Sequence, residues 1–317
     1  MFQKLKQYKI VYEVYNFFNK KYLSHNVPLY RKYKLKKKYY SSVSNQDFKG
    51  LKEEINLYDK KDSKEFLPEN ADFLALEKKI QDALLDWSTN GYSVISNFFS
   101  EKEVDSINFE IDDLISSGVL KPRYNGKKYM FANRFSEKIN EIANGKMKRI
   151  LEVLLSREVE LFQTINFNTG SEQRTHSDSV HMTTFPKGNL IATWVALEDV
   201  TIDDGPLHYY PGSHKLPYIM NEDYDNSGSK FKLGKKSYHA YEDKVEEVLF
   251  RSKLKKKTFL AKKGDMLIWH GNLMHGGNKV NIEGNTRKSM VFHYYAKDVI
   301  CYHEITQRPT IKGKFGK

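Results

Sequence analysis

In the second half of the chain the apolar positions fall in short runs, over 159–167, 190–197, 207–210, 258–261, 266–269 and 290–295. Each run has a strand's length and is rich in branched and aromatic residues, so each is read as a strand. The first half is patterned at helical spacing instead. Phe73, Leu76, Ile80, Leu84 and Trp87 predict an amphipathic helix over 72–89 that stops before Asn90-Gly91. Tyr92 to Ile95 reads as a short strand. Ser100-Glu101-Lys102-Glu103 is a capping box opening a helix to about Ser116, with Gly118 closing it. Met147, Ile150, Leu151, Leu154 and Leu155 predict another helix over 146–156. Helices first and strands afterwards predict an α+β domain in which helices buttress a sheet.

Other stretches lie outside this pattern. Residues 2–23 mix Phe2, Leu5, Ile10, Val11, Val14, Phe17, Phe18 and Leu23 with lysines at roughly helical spacing, until Pro28 breaks it. A basic run interleaved with aromatics follows over 31–40. Residues 41–70 are polar and charged and read as a linker with one short helix. The expected organisation is therefore a basic arm and linker over 1–69, a catalytic domain over 70–310 and a basic tail over 311–317. Residues 218–257 interrupt the strands with a polar stretch and a helix near 241–254. An insertion of that length in a compact domain reads as a lid over substrate or as a passive insertion.

Charge sharpens this division. Residues 1–40 hold eleven Lys/Arg and one acid, Glu13, a balance of +10 out of the chain's +12. The catalytic region is left nearly neutral. The arm is read as a solvated or dimer-forming segment, or as one that meets an anionic membrane surface; nucleic acid is a weaker reading of a basic patch. Oligomeric state is not readable. A hydrophobic content of 39 % with 14 % aromatics suits a packed core rather than disorder. The lone cysteine, Cys301, excludes an intrachain disulfide and fits a reducing compartment. No long apolar run or cleavable leader is evident. The expectation is a cytoplasmic protein, with a peripheral place at the membrane if the membrane reading of the arm holds.

Candidate chemistry sits in a split motif. Thr175-His176-Ser177-Asp178 is one half, and Trp269-His270-Gly271-Asn272-Leu273-Met274-His275-Gly276-Gly277 is the other. In extended backbone, residues i and i+2 point the same way, so His176 and Asp178 can reach one metal. His275 adds the third ligand from a later segment. Two histidines and one carboxylate fill one face of a divalent ion and leave the opposite face open, an arrangement best exploited by iron(II) with O2. Arg287 starts the next strand. Arg287, Ser289, Val291 and His293 share one strand face, opposite Met290 and Phe292. A guanidinium there offers a planar fork to a carboxylate. A cosubstrate with a chelating 2-oxo acid at one end and a carboxylate at the other is 2-oxoglutarate. Among the other histidines, His214 reads as structural or as a support behind the ligands, and His270 as facing away; His181 reads as structural more readily than as a substrate contact, and His293 as either a pocket-wall residue or a satisfied core histidine.

Further pieces stand in order around this set: Asn90-Gly91-Tyr92 with Val94-Ile95, Trp194-Val195-Ala196-Leu197-Glu198-Asp199, Asp204-Gly205-Pro206-Leu207, Pro211-Gly212-Ser213-His214 and Gly264-Asp265. Together they resemble the phytanoyl-CoA dioxygenase family of Fe(II)/2-oxoglutarate oxygenases, from about Asp72 to about Tyr302. The resemblance implies a double-stranded β-helix, or jelly roll, with iron(II), 2-oxoglutarate and O2. It implies His176, Asp178 and His275 as metal-binding and catalytic residues, with Arg287 on the distal carboxylate. Two positions depart from the pattern. Phe167 stands where some members place a lysine, and Gly277 where some place a serine. Gln163, Thr193, Trp194 and Asn278 are the candidates to compensate in the cosubstrate pocket, with Ser289 beside Arg287. The intact Asp178 argues against halogenation, since halogenating relatives carry a small residue there. The expected reaction is hydroxylation of a small-molecule or lipid-linked substrate, with release of succinate and CO2. The competing class is a non-catalytic jelly roll that binds a metal or ligand in the same pocket.

Overall fold

The computed structural model describes residues 7–312 apart from Ile55 and Asn125. In chain order its strands are β1 (Tyr92–Ile95), β2 (Lys128–Met130), β3 (Val159–Phe167), β4 (Thr183–Phe185), β5 (Leu190–Ala196), β6 (Leu207–Tyr209), β7 (Lys257–Phe259), β8 (Met266–His270), β9 (His275–Gly277), β10 (Ser289–Ala296), β11 (Ile300–His303) and β12 (Arg308–Pro309). A six-stranded antiparallel sheet, β1-β8-β5-β10-β3-β2, forms the floor. Two three-stranded sheets, β7-β6-β9 and β12-β11-β4, complete the set. The expected strand runs all form, each within two residues of its predicted ends.

Strand alternation gives the large sheet two different faces. Ile191, Val195, Ile268, Met290, Phe292 and Tyr294 point outward onto helices. Those helices include Glu101–Ser116, Glu137–Asn144 and Lys146–Leu155, which bring Ile107, Ile139, Met147 and Leu151 into the same core. Burying side chains of this size stabilises by about 1.5–3 kcal/mol each. The inner face carries Ala192, Trp194, Leu267, Trp269 and Val291, which meet Leu207, Tyr209 and Phe259 of the small β7-β6-β9 sheet. Helices on one side and a facing sheet on the other make the α+β domain that the sequence pattern predicts and the jelly roll that the resemblance implies.

The capping box at Ser100 is present, with the Ser100 N–H donating to Glu103 Oε2 at 2.7 Å. The predicted 72–89 helix differs. It is broken into Ala71–Leu74, Lys78–Leu84 and Trp87–Asn90. The Gln81 amide donates to the carbonyls of Leu74 and Leu76, so the first break has its own hydrogen-bond partners. The arm and linker before it are packed against the domain. Leu29, Tyr30, Tyr33, Val43 and Phe48 pack on Phe185, Ile300 and Tyr302, covering the β12-β11-β4 sheet. Phe48 stacks on Phe185 with ring centres 4.1 Å apart. Beyond Lys312, the basic tail lies outside the described residues.

One turn tests how tightly the floor is tied to its helices. Gly264 has φ +90°, and a Cβ there would collide with the Phe99 carbonyl oxygen. That carbonyl belongs to the residue whose own N–H donates to Gly264 O at 3.1 Å. Gly264→Ala should therefore cost about 2 kcal/mol or more, read as a lower denaturant midpoint at constant slope. An unchanged midpoint would mean the turn can relax.

Candidate active site

The two halves of the split motif meet through their backbones. The His176 N–H donates to the His275 carbonyl and the His275 N–H to the His176 carbonyl, each at 2.9 Å. This pairing fixes two distant residues opposite one another at the edge of the jelly roll. Asp178 then starts a short turn, Asp178–Val180, that leaves its carboxylate beside both imidazoles. His176 Nε2 lies 3.8 Å from Asp178 Oδ1 and His275 Nε2 lies 3.7 Å from Asp178 Oδ2. One ligand atom from each of the three falls within 4.8 Å of the others, and all three residues are buried.

The surroundings prepare these atoms for a cation. His176 Nδ1 is 2.9 Å from the Arg174 carbonyl, and His275 Nδ1 is 2.9 Å from the Leu273 carbonyl. A carbonyl only accepts, so each Nδ1 carries the proton and each Nε2 keeps its lone pair for a metal. Asp178 Oδ2 accepts from Trp269 Nε1 at 2.8 Å and faces His293 Nε2 at 3.2 Å, which orients the carboxylate. Burial, with His275 and His181 nearby, holds His176 well below its ordinary pKa, so it is neutral. Burial pushes Asp178 up, but His275 and His293 outweigh it and hold Asp178 well below the usual carboxylate range. A neutral imidazole and an ionised carboxylate are the forms that ligate metals.

The triad opens into a cavity of about 590 Å³. Arg287 enters it from the segment two residues ahead of β10 and is buried. Its guanidinium carbon sits 5.4 Å from the Phe167 ring centre and 5.6 Å from that of Trp194. Nη1 donates to Ser289 Oγ at 3.3 Å, while Nε has no hydrogen-bond partner. No carboxylate among the described residues forms an ion pair with it, and burial pushes its pKa down to about 10. An unpaired buried guanidinium is costly, and a ligand carboxylate would relieve that cost. Trp194 Nε1, another buried donor without a partner, belongs to a residue that lines the same cavity. The residues present thus fit both iron(II) and a dicarboxylate cosubstrate.

The other expected site residues divide. Gln163 lines the cavity, with Nε2 3.4 Å from His293 Nδ1, and Trp194 and His293 line it too. Thr193 does not. It neighbours the inward-facing Trp194 on β5, so alternation turns it outward, where its hydroxyl donates to Met147 Sδ at 3.0 Å. Asn278 is spent on Thr258, 3.3 Å away, and takes no part in the wall. His270 and His214 pack together on the far side of β8, with ring centres 5.4 Å apart. His181 does reach the cavity, hydrogen-bonded to Tyr238 at 3.0 Å and lying 3.4 Å from His303. Gly277 leaves room for Ser171, whose hydroxyl lies against it, so a serine oxygen still reaches this corner.

Lys128 was not foreseen. It sits on β2 directly opposite Phe167, with Nζ 5.5 Å from that ring and 2.9 Å from Gln173 Oε1. A lysine therefore enters the wall from the neighbouring strand, beside the position where Phe167 replaces one. Burial pushes its pKa down. Its surroundings in sequence are polar and without period, so no pattern announces it. Trp269 was legible as part of a motif, but its grip on Asp178 emerges only from the fold, where the Ser179 N–H donates to the Gly271 carbonyl at 2.9 Å and sets the Asp178 turn against the end of β8.

A jelly roll that brings this triad and a buried, unpaired arginine into one cavity defines the class of Fe(II)/2-oxoglutarate-dependent oxygenases. The sequence model described as Phytanoyl-CoA dioxygenase (PhyH) matches residues 87–287, and the chain belongs to that family. The peroxisomal phytanoyl-CoA dioxygenase of Rattus norvegicus is 23 % identical over 238 residues, 67 % of each chain. A phytanoyl-CoA dioxygenase domain-containing protein 1 homolog of Dictyostelium discoideum is 30 % identical over 140 residues, 42 % of this chain and 44 % of its own. Among solved structures, the non-heme alpha-ketoglutarate-dependent carbocyclase SnoK of nogalamycin biosynthesis has a TM-score of 0.58 at 15 % identity, covering 76 % of this chain and 90 % of its own. EctD from S. alaskensis with bound Fe has a TM-score of 0.53 at 20 % identity, covering 70 % of this chain and 77 % of its own. At these identities the structural likeness establishes the fold, while family membership carries the oxygenase class with iron and 2-oxoglutarate.

Proposed function

We propose that this oxygenase hydroxylates a largely apolar small-molecule or lipid-linked substrate, releasing succinate and CO2. The observation that carries the reading is the buried triad opening into one cavity with an apolar wall. His176, Asp178 and His275 hold the iron; Trp269 and His293 orient Asp178. Arg287 pairs with the distal carboxylate of 2-oxoglutarate, with Ser289 and Trp194 beside it. Bound iron supplies the activation of O2 that is coupled to oxidation of 2-oxoglutarate. The chain's own residues place the reactants and keep water away.

Lining chemistry narrows the substrate. Met130, Phe162, Ile165, Met182 and Leu207 give the wall its apolar character. Among the described residues, the only carboxylate in the wall is Asp178, already taken by the metal set, whereas Lys128 and Arg287 are both cations. A cationic substrate would find no partner there, so a neutral or anionic one fits. The His181, Tyr238 and His303 cluster offers hydrogen bonds to a polar group of the substrate. Incubation of cell extract with enzyme, iron(II) and 2-oxoglutarate under 18O2 tests this. A species heavier by one labelled oxygen is expected. A product that has lost hydrogen without gaining label would replace hydroxylation by desaturation or ring closure.

A further inference from the structure

We propose that the Lys9–Phe18 helix and the 229–236 loop form one docking face for an anionic membrane surface, beside the wall of the substrate cavity. The helix is packed the wrong way round for a soluble protein. Its buried face carries Asn16, followed by buried Asn19, while Ile10, Val14, Phe17 and Phe18 are exposed. Exposure reaches 59 % at Ile10 and 77 % at Phe18. At helical spacing these four apolar residues share a face. The orientation is tied down, because Asn16 Nδ2 donates to the Tyr40 carbonyl at 2.9 Å. The polar side anchors the helix to the protein, and the apolar side faces out.

A second segment, remote in sequence, extends the same face. The Lys9 N–H donates to the Phe231 carbonyl at 3.0 Å, and the Leu233 N–H to the Gln7 carbonyl at 2.9 Å. Phe231 is 69 % exposed. The rim is cationic. Lys20, Lys21, Lys230, Lys232, Lys235 and Lys236 are exposed, and none forms an ion pair with a carboxylate among the described residues. An apolar patch within a basic rim is the pattern that lies in the interface of an anionic bilayer. Nucleic acid would meet the lysines but leave Ile10, Val14 and Phe18 in water. A second copy would cover the apolar residues but bring two basic rims together. Among the described residues, no helix is long and apolar enough to cross a membrane, so this is a surface contact.

Both segments lead to the cavity. Tyr238, just after Lys236, lines it. On the helix, Tyr12 lies under the Arg308 guanidinium at 5.3 Å, and Ile305 and Thr306, in the turn just before Arg308, line the cavity. Delivery of an apolar substrate from the bilayer rests on the hydroxylase reading; the docking itself does not.

The test uses the full chain and vesicles of phosphatidylcholine, with and without phosphatidylserine. The protein should sediment with the anionic vesicles and not with the neutral ones. The Ile10→Ser/Phe18→Ser/Phe231→Ser variant should sediment at least about tenfold less, as should Lys20→Glu/Lys230→Glu. Both should keep wild-type turnover of 2-oxoglutarate, which shows that they fold. Equal sedimentation of wild type and the triple variant would overturn the proposal. So would a wild-type dimer that the triple variant dissociates, or retention on duplex DNA, in a protein that ignores anionic vesicles. Vesicle binding without any 2-oxoglutarate turnover would fault the enzymatic reading and support the docking face.

Discussion

His275→Ala, and equally His176→Ala, will abolish iron-dependent turnover while the protein stays folded. Each imidazole presents a lone pair at Nε2 because its Nδ1 proton is held by a backbone carbonyl. Removing either leaves two protein ligands where three are needed. The loss of iron affinity should exceed the roughly 10–100-fold that follows when only a hydrogen-bond partner behind a ligand is removed. The fold should survive, because the two residues are joined through backbone N–H and carbonyl groups that alanine retains. An iron(II) titration followed by a succinate assay measures the effect, with a thermal melt as the control for folding. Full turnover in either variant would remove that residue from the metal site.

Arg287→Leu should leave iron binding nearly unchanged and weaken 2-oxoglutarate by at least about tenfold, as expected for a charge-assisted hydrogen bond of roughly 1.5–3 kcal/mol. Leucine keeps apolar contact with Phe167 and Trp194, so the wall should not collapse. The substitution also removes a buried, unpaired cation, and the variant should be no less stable than wild type in the absence of ligand. Arg287→Lys keeps the charge but loses the planar fork and should fall between the two. Equal 2-oxoglutarate affinity in wild type and Arg287→Leu would assign the distal carboxylate to Lys128, the other cation in the wall.

What the sequence disclosed and what it hid have physical causes. The strands were legible because a sheet buried on both faces leaves apolar runs, and β3 has the predicted bounds, Val159–Phe167. The shared face of Arg287, Val291 and His293 was legible because a strand's side chains alternate with a period of two. The same rule, applied to adjacent Thr193 and Trp194, rules out both facing the cavity; only the strand's placement in the sheet settles which one does. Lys128 was hidden because it reaches the cavity through the pairing of β2 with β3, a contact between segments with no common pattern. The packing of residues 29–48 was hidden for a different reason. Their aromatic residues are spaced among charges, and it is the β4 and β11 strands that give those rings something to cover. His181 and His303 lie far apart in sequence, and only the fold shows that they share one wall.

The triad and Arg287 are expected to work as one catalytic unit rather than as a binding pocket. The most direct measurement follows succinate formation and O2 consumption together, with iron(II), 2-oxoglutarate and cell extract under air. Equimolar succinate and consumed O2 are expected, dependent on added iron and absent in His275→Ala. A protein that binds iron and 2-oxoglutarate yet forms no succinate under these conditions would contradict it and establish the fold here as a binding module.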